Sequence, residues 1–117
     1  MARIAFVIHS SPRSDIGTRS FYHLASAAVN LGHQVIGYCH QDGVYQLIRA
    51  QHGLENELSH SGCWQALMVR GAVVYCSELC ARGRGVYSKD LLLEGVRFSH
   101  ATDLAVLLKG CDQVVCL

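Results

Sequence analysis

The sequence predicts a three-layer α/β fold, in which helices cover both faces of a mainly parallel sheet of about five strands, of the Rossmann or flavodoxin-like type. One observation behind this is that short apolar runs alternate along the chain with segments whose apolar residues recur at helical spacing. Another is that the runs are apolar nearly throughout, as in RIAFVIH at residues 3–9 and QVIGYC at residues 34–39. Strands that are buried on both faces have this pattern and are typical of parallel sheets.

The first half of the chain gives two strands and two or three helical segments. Strand one, at residues 3–9, leads through a polar loop into a helix that begins at Thr18 and ends near Leu31, before Gly32. Strand two covers residues 34–39. A short helix is expected at 44–48, a loop or loosely helical stretch at 51–61, and a helix around 64–68.

The second half contains the segment AVVYCSELCARGR, residues 72–84, around which the functional prediction is built. A buried strand is expected to end at Cys76, and Ser77 and Glu78 are expected to open a helix. The remaining predicted elements are a helical turn at 91–93, a strand at 96–98, a helix at 102–109 and a last buried strand at 113–117.

Length and composition limit the functions that this chain can have. A chain of 117 residues predicts one domain, residues 1–117, with a single core. Hydrophobic residues make up 50% of the sequence and charged residues 16%, which predicts that part of the surface is covered in an oligomer. A formal net charge of +1 disfavours direct binding of nucleic acid.

The same sequence predicts a cytoplasmic protein without a membrane partner. The N-terminal apolar run is only a few residues long, and no run approaches the eighteen or so residues of a membrane span. In the absence of a secretory signal, the six cysteines are interpreted as reduced thiols rather than as disulfides.

Cys76 is the predicted reactive thiol. A cysteine between a strand and a helix lies close to the unpaired N–H groups of the helix N-terminus, which stabilise a thiolate. Arg82 and Arg84 follow and are expected to support this anion. Cys80, four residues on, could resolve a persulfide or form a local disulfide. For both cysteines the alternative is simple packing, since free cysteine is among the most buried residue types.

Other polar residues are expected near Cys76, because the carboxyl ends of parallel strands meet at one edge of a sheet. Each predicted strand is followed by residues with hydroxyl, imidazole or thiol groups. These possible rim residues are His9, Ser10, Cys39, His40, Ser99 and His100.

Several segments together resemble the DsrE/TusD family of sulfur-relay proteins and their DsrF/TusC sister subunits. RIAFVIHSSP resembles the first strand and loop of that family, FYHLASAAVNLGHQV its first helix, and HQDGVYQ its turn after strand two, while QLIRAQ is closer to DsrF/TusC. Trp64 to Leu67, then VVYC and RGV, resemble its third helix, cysteine strand and RG turn. FSHATDLAVLLKGCDQVV resembles the final strand, helix and strand.

The resemblance implies an α/β subunit that carries sulfane sulfur as a cysteine persulfide between sulfur-donor and sulfur-acceptor proteins. It also implies a homo-oligomer or a hetero-oligomer with related subunits, acting in tRNA 2-thiouridine synthesis or in sulfur oxidation. Cys76 matches the family's sulfur-carrying cysteine, but it is about one residue out of register with the Arg84–Gly85 turn. The segment between Val86 and Val96 is also shorter than usual, so a non-catalytic subunit stays open.

Two further interpretations compete with sulfur transfer. Cys76 and Arg82 have the C-x5-R spacing of cysteine phosphatases and arsenate reductases, but SELCA lacks the glycines of a phosphate-cradling loop. A flavin or nucleotide site would use Ser10, Ser11, Ser14 and Thr18, and here Pro12, Arg13 and Asp15 interrupt the small residues that such a loop needs. No C-x2-C pair is present, and we expect neither a metal site nor a cofactor.

Overall fold

The computed structural model describes residues 1–12, 17–51 and 59–117. Within these ranges, five strands form one sheet: β1 (Arg3–Ile8), β2 (Gln34–Cys39), β3 (Val73–Ser77), β4 (Arg97–Ser99) and β5 (Gln113–Cys116). The helices are α1 (Gly17–Asn30), α2 (His60–Val69), α3 (Glu78–Gly83) and α4 (Ala101–Lys109), with a 3-10 helix at Gln41–Leu47.

The sheet is parallel throughout and has the strand order β4-β3-β2-β1-β5. The chain moves outward from β1 to β4 and then crosses back to place β5 on the other side of β1. Because such crossovers are right-handed, α1, α2 and α3 lie on one face and α4 lies on the opposite face. The predicted α/β class and strand number are confirmed.

The main core lies between the sheet and the first three helices. Phe21 of α1 contacts Phe6 edge-on at 5.4 Å and stacks on Trp64 of α2 at 4.2 Å between ring centres. A Cβ atom at Gly37 would overlap the indole of Trp64, so glycine in β2 leaves room for this ring. Cys39 and Cys76 belong to the same buried cluster, which places two thiols inside the core.

Two sequence predictions about local structure are wrong. The last strand is not buried, because among the described strands β5 pairs only with β1 and lies at the sheet edge, and Val114 keeps 42% of its surface exposed. Residues 91–93 do not form the predicted turn by themselves, because the turn begins at Ser88, whose carbonyl accepts from the Leu91 and Leu92 N–H groups at 3.2 and 3.3 Å, and it ends at Leu92. Leu92 also forms an antiparallel bridge with Ile48, and the Leu93 N–H donates to the Leu47 carbonyl at 3.0 Å.

Some of the predicted segments fall partly outside the described residues. In the stretch predicted as loop or loosely helical, residues 52–58 lie outside them, and α2 begins at His60 with Ser59 as its N-cap. The Ser59 hydroxyl accepts from the Gly62 N–H at 2.9 Å. Ser14 of the nucleotide-loop alternative also lies outside. None of the described helices has the length and apolar character needed to cross a membrane.

Candidate functional site

Cys76 lies within β3 rather than at its end. Ser77 is the last residue of the strand and the N-cap of α3, where its hydroxyl accepts from the Cys80 N–H at 3.3 Å. In the sheet register, Cys76 is paired with Cys39 of β2 and with Phe98 of β4. Register partners point to the same face, and this face carries the core, so the Cys76 side chain is fully buried.

Burial controls the ionisation of Cys76. Removal from water, with a smaller effect from the charge of Cys80, raises the pKa of Cys76 from 9.0 to about 12. Its Sγ has only a weak contact to the Ser77 carbonyl, at 3.8 Å. Burial, followed by the charge of Cys76, likewise raises the pKa of Cys39. The expectation that Cys76 is an accessible thiol with a stabilised charge is therefore wrong.

Cys80 has a different environment on the first turn of α3. Its side chain is half-buried, and the Arg84 Nη1 donates to its carbonyl at 3.4 Å. The hydrogen bond to Asp42 is the main cause of a raised pKa at Arg84, and the charge of Cys80 adds to it. The Arg84 guanidinium thus lies against the Cys80 backbone, and Asp42 Oδ1 anchors its Nε at 2.9 Å.

Arg82 is occupied by other groups. Its Nε and Nη2 donate to Glu78 Oε1 at 3.1 and 2.8 Å, and its guanidinium lies 4.3 Å from the ring centre of Tyr87. The hydrogen bond from Arg82 is the largest cause of a lowered pKa at Glu78, whose Oε2 also lies 3.3 Å from His100 Nδ1. These contacts hold the Arg82 guanidinium at Glu78 and Tyr87, and none of them supports the anion that was predicted at Cys76.

The same geometry does not fit the phosphatase alternative. The residues between Cys76 and Arg82 form the end of β3 and most of α3, not a loop of inward-pointing N–H groups. The spacing that suggested an anion loop is therefore the spacing of a strand followed by one and a half turns of helix.

The predicted rim residues lie at the carboxyl ends of the strands but do not form one constellation, because β2 and β3 separate β1 from β4. The rings of His9 and His40 are 6.2 Å apart, and burial, followed by the charge of His9, lowers the pKa of His40. Ser10 Oγ donates to the Leu117 carbonyl at 3.4 Å. The buried Ser99 hydroxyl donates to the Tyr38 hydroxyl at 3.2 Å, so it serves packing.

Three polar residues that contribute to the site were not predicted. Gln46 is fully buried and links two elements, because its Nε2 donates to the Ser10 carbonyl at 2.7 Å and its Oε1 accepts from Trp64 Nε1 at 2.9 Å. Asp42 and Glu78 anchor the two arginines. The Glu78–Arg82 pair has the i, i+4 spacing of helical ion pairs and could have been found from the sequence.

Across the described parts of the chain, no group of three or more His, Cys, Asp or Glu side chains is arranged to hold a metal ion. All six cysteines are free thiols. On α3 and just after it, the half-buried Cys80 and the Arg84 guanidinium that donates to its carbonyl are the thiol and the cation of the candidate site.

A model of the DsrE/DsrF-like family matches residues 2–117. The chain belongs to this family. The resemblance inferred from the sequence motifs is thereby confirmed over nearly the whole chain. None of the curated proteins matches the sequence significantly.

Solved structures support the same fold. The YchN protein from E. coli superposes with a TM-score of 0.84 at 21% identity, and each chain is covered completely. The protein of unknown function MTH1491 from Methanobacterium thermoautotrophicum gives 0.73 at 22% identity, again with complete coverage of both chains. BT1422 from Bacteroides thetaiotaomicron gives 0.75 at 13% identity, covering 99% of this chain and 95% of the other. At these identities the likeness concerns the fold.

Proposed function

We propose that this protein is a sulfur-relay protein that accepts sulfane sulfur as a cysteine persulfide and passes it to a partner protein. Membership of the DsrE/DsrF-like family supports the sulfur-relay context. The observation that carries the proposal is that Cys80 is half-exposed and that its carbonyl accepts, at 3.4 Å, from the Arg84 guanidinium, which Asp42 anchors. The partners determine whether the sulfur enters tRNA 2-thiouridine synthesis or sulfur oxidation.

The carrier in this proposal is Cys80, although the sequence pattern assigns that role to Cys76. Transfer needs a thiolate and enough exposure for a partner cysteine to approach. Cys76 is fully buried with a pKa of about 12, which opposes both requirements. Burial also raises the pKa values of Cys63 and Cys111. Cys116 is exposed, but it lies on β5, three strands away from β3.

The transfer is redox-neutral. The Cys80 thiolate attacks the outer sulfur of a donor persulfide, so that a new S–S bond forms on Cys80 while the S–S bond of the donor breaks. The donor cysteine leaves as a thiolate. A partner thiolate then attacks the outer sulfur on Cys80, and the Cys80 thiolate is released again. The Arg84 guanidinium, which donates to the Cys80 carbonyl, is a positive charge close to Cys80 in both steps.

The test is intact-mass analysis after incubation with a cysteine desulfurase and cysteine. Wild type and Cys76→Ala should gain one sulfur, and Cys80→Ala should gain none. Cys116→Ala is the matched control for an exposed thiol outside the site and should behave as wild type. Uptake by Cys80→Ala together with none by Cys76→Ala would assign the carrier to Cys76. A wild type that never gains sulfur would make the chain a non-catalytic subunit.

We also propose that the protein works in an oligomer, with copies of itself or with related subunits, in a reducing compartment such as the cytoplasm. The exposed apolar residues Val106 of α4, 74% exposed, and Val114 of β5 support an interface on that side of the sheet. Six free thiols support a reducing environment. Light scattering that shows a strict monomer at high concentration, with no related subunit recovered in a pull-down, would contradict the oligomer.

A further inference from the structure

A groove runs beside β4, the edge strand next to β3. Its volume is about 390 Å³, within the range of sites that bind small ligands and short peptide segments. It lies between the segment that follows the 3-10 helix and residues 89–98. We call it the basic groove and define it by six lining residues: Arg49, Lys89, Leu92, Val96, Arg97 and Phe98.

The walls of the basic groove are fixed by backbone pairing. The Arg49 N–H donates to the Leu91 carbonyl at 3.0 Å, next to the bridge between Ile48 and Leu92. The Arg49 side chain donates to the carbonyls of Leu92 and Lys89 at 3.2 and 2.9 Å. The Arg49 guanidinium is therefore held in place at the groove by neutral acceptors, and its charge is not neutralised by these contacts.

The groove also has an excess of positive charge. Arg49, Lys89 and Arg97 line it together with one carboxylate, that of Glu94. In the described ranges, none of these four side chains forms a salt bridge. The whole chain has a formal charge of only +1, so three cations against one anion is a local concentration of charge. An acidic ligand would be complementary to it.

The floor of the groove is apolar. Leu92 is buried, whereas Val96 and Phe98 are half-buried. The Phe98 ring contacts Tyr87 edge-on at 4.6 Å, and Tyr87 in turn lies against Arg82 of α3. The groove is thus joined through packed rings to the helix that carries Cys80. A ligand for this floor needs apolar groups as well as acidic ones.

The edge of β4 gives the third element of recognition. Among the described strands, β4 pairs only with β3, which leaves its other edge available for a further strand. The residues alternate between apolar and cationic here: Phe98 lies on the core face with Cys76, Arg97 lies on the other face with Tyr75, and Val96, just before the strand, packs against the core. An added strand in which apolar and acidic residues alternate would match both faces.

We propose that the basic groove and the edge of β4 bind an extended acidic peptide segment of a partner protein, in which carboxylates alternate with apolar side chains. The backbone of the segment adds to β4. Its carboxylates meet Arg97 on one face, its apolar side chains contact Val96 and Phe98 on the other, and a carboxylate at its end meets Lys89 and Arg49. This inference does not depend on which cysteine carries sulfur. The exposed position of the charges predicts weak binding that decreases as salt concentration rises.

The test uses fluorescence anisotropy with a labelled decapeptide in which glutamate and valine alternate. Wild type should bind it, and added salt should weaken the binding. Arg97→Gln and Lys89→Gln should each weaken binding by about fivefold. The double variant should weaken it about 25-fold, since the two charges act nearly independently. Glu94→Gln should strengthen binding, because it removes the one opposing charge.

Neither Arg97 nor Lys89 donates a side-chain hydrogen bond in the described residues, so the variants at these two positions should fold.

The controls distinguish an extended peptide site from nonspecific attraction between charges and from a small-anion site. Lys109→Gln removes a positive charge at the end of α4 and should leave binding unchanged. A peptide in which lysine replaces glutamate should not bind, and one in which proline replaces valine should bind weakly, since it lacks the N–H groups of a strand. Equal binding by the lysine or proline peptide, or by the double variant, would overturn the proposal. Competition by glutarate as effective as that of unlabelled peptide would make the groove a small-anion site and would also overturn it.

Discussion

Cys76 and Cys80 are four residues apart in sequence, yet they lie in opposite chemical environments. Cys76 is the last residue of β3 whose side chain points into the core, and packing there removes this side chain from water. Cys80 lies one element later, half-exposed, with a guanidinium nearby. The helix N-terminus lies between them, so its dipole alone does not decide which thiol is reactive. The comparison predicts that exposure to water affects the ionisation of a thiol more than proximity to a short helix does.

The largest expected effect is on the core, which excludes water from Cys39 and Cys76. Trp64→Ala should lower the free energy of unfolding by about 3 to 5 kcal/mol, because it removes the ring stacked on Phe21 and leaves Gln46 Oε1 without its donor. Urea unfolding measures this loss. Val69→Ala is the control on the same helix, since Val69 is 82% exposed, and it should change stability by less than about 0.5 kcal/mol.

If Trp64→Ala does not fold, Trp64→Phe keeps the prediction testable. Phenylalanine retains most of the apolar ring but lacks the indole N–H, so this variant should fold with an intermediate loss of stability. A Trp64→Ala protein as stable as Val69→Ala would show that the packing around the two buried thiols is not what holds this side of the sheet together.

The sequence was sufficient for elements with strong local patterns. Strand β2 was predicted with its observed bounds, because its apolar run is followed at once by polar turn residues. The i, i+4 pair of Glu78 and Arg82 is equally local and could be predicted from spacing alone. In contrast, the Arg84–Asp42 pair joins residues 42 positions apart, and only the fold brings them together.

Burial was less predictable than secondary structure. QVVCL at the end of the chain has the composition of a buried strand, yet β5 became an exposed edge strand because strand order is not encoded in a local run of residues. Similarly, the position of Cys76 one residue before the strand end decides that it points inward. A shift of one residue reverses the face of a strand residue, so the sequence pattern could not fix its exposure.

An intermediate effect is expected at alkaline pH. Folding raises the pKa of Cys76 from 9.0 to about 12, so the stability that the neutral buried thiol contributes is complete below pH 9 and is lost as pH rises from 9 to 12. Between pH 8 and pH 10 this one thiol should lower the free energy of unfolding by about 1.4 kcal/mol. The measurement is urea unfolding of wild type and Cys76→Ala at both values of pH.

Cys76→Ala should therefore lose less stability between pH 8 and pH 10 than wild type does, whatever its stability at pH 8. Cys116→Ala, which removes an exposed thiol, should retain the wild-type pH dependence. Identical pH dependence in Cys76→Ala and wild type would mean that Cys76 ionises in the folded protein as readily as in the unfolded chain, and the contrast with Cys80 would disappear.

The smallest expected effect is on the reactivity of Cys80. Arg84→Gln should slow alkylation of Cys80 by iodoacetamide about two- to fivefold, because it removes the cation whose Nη1 donates to the Cys80 carbonyl at a partly exposed site. Arg82→Gln is the matched control, since the Arg82 guanidinium is bound to Glu78 and lies against Tyr87. It should leave the rate within about twofold of wild type. Tandem mass spectrometry distinguishes alkylated Cys80 from alkylated Cys76.

The same experiment sharpens the comparison between the two thiols. At pH 8 a thiol whose pKa is raised by about three units has roughly a thousandfold less thiolate, so Cys76 should stay unmodified while Cys80 reacts. Slower alkylation in Arg82→Gln but not in Arg84→Gln would show that Arg82, not Arg84, supplies the supporting charge. Alkylation of Cys76 at the rate of Cys80 would mean that β3 opens to solvent in the folded protein, and Cys76 would again be the stronger choice for the sulfur carrier.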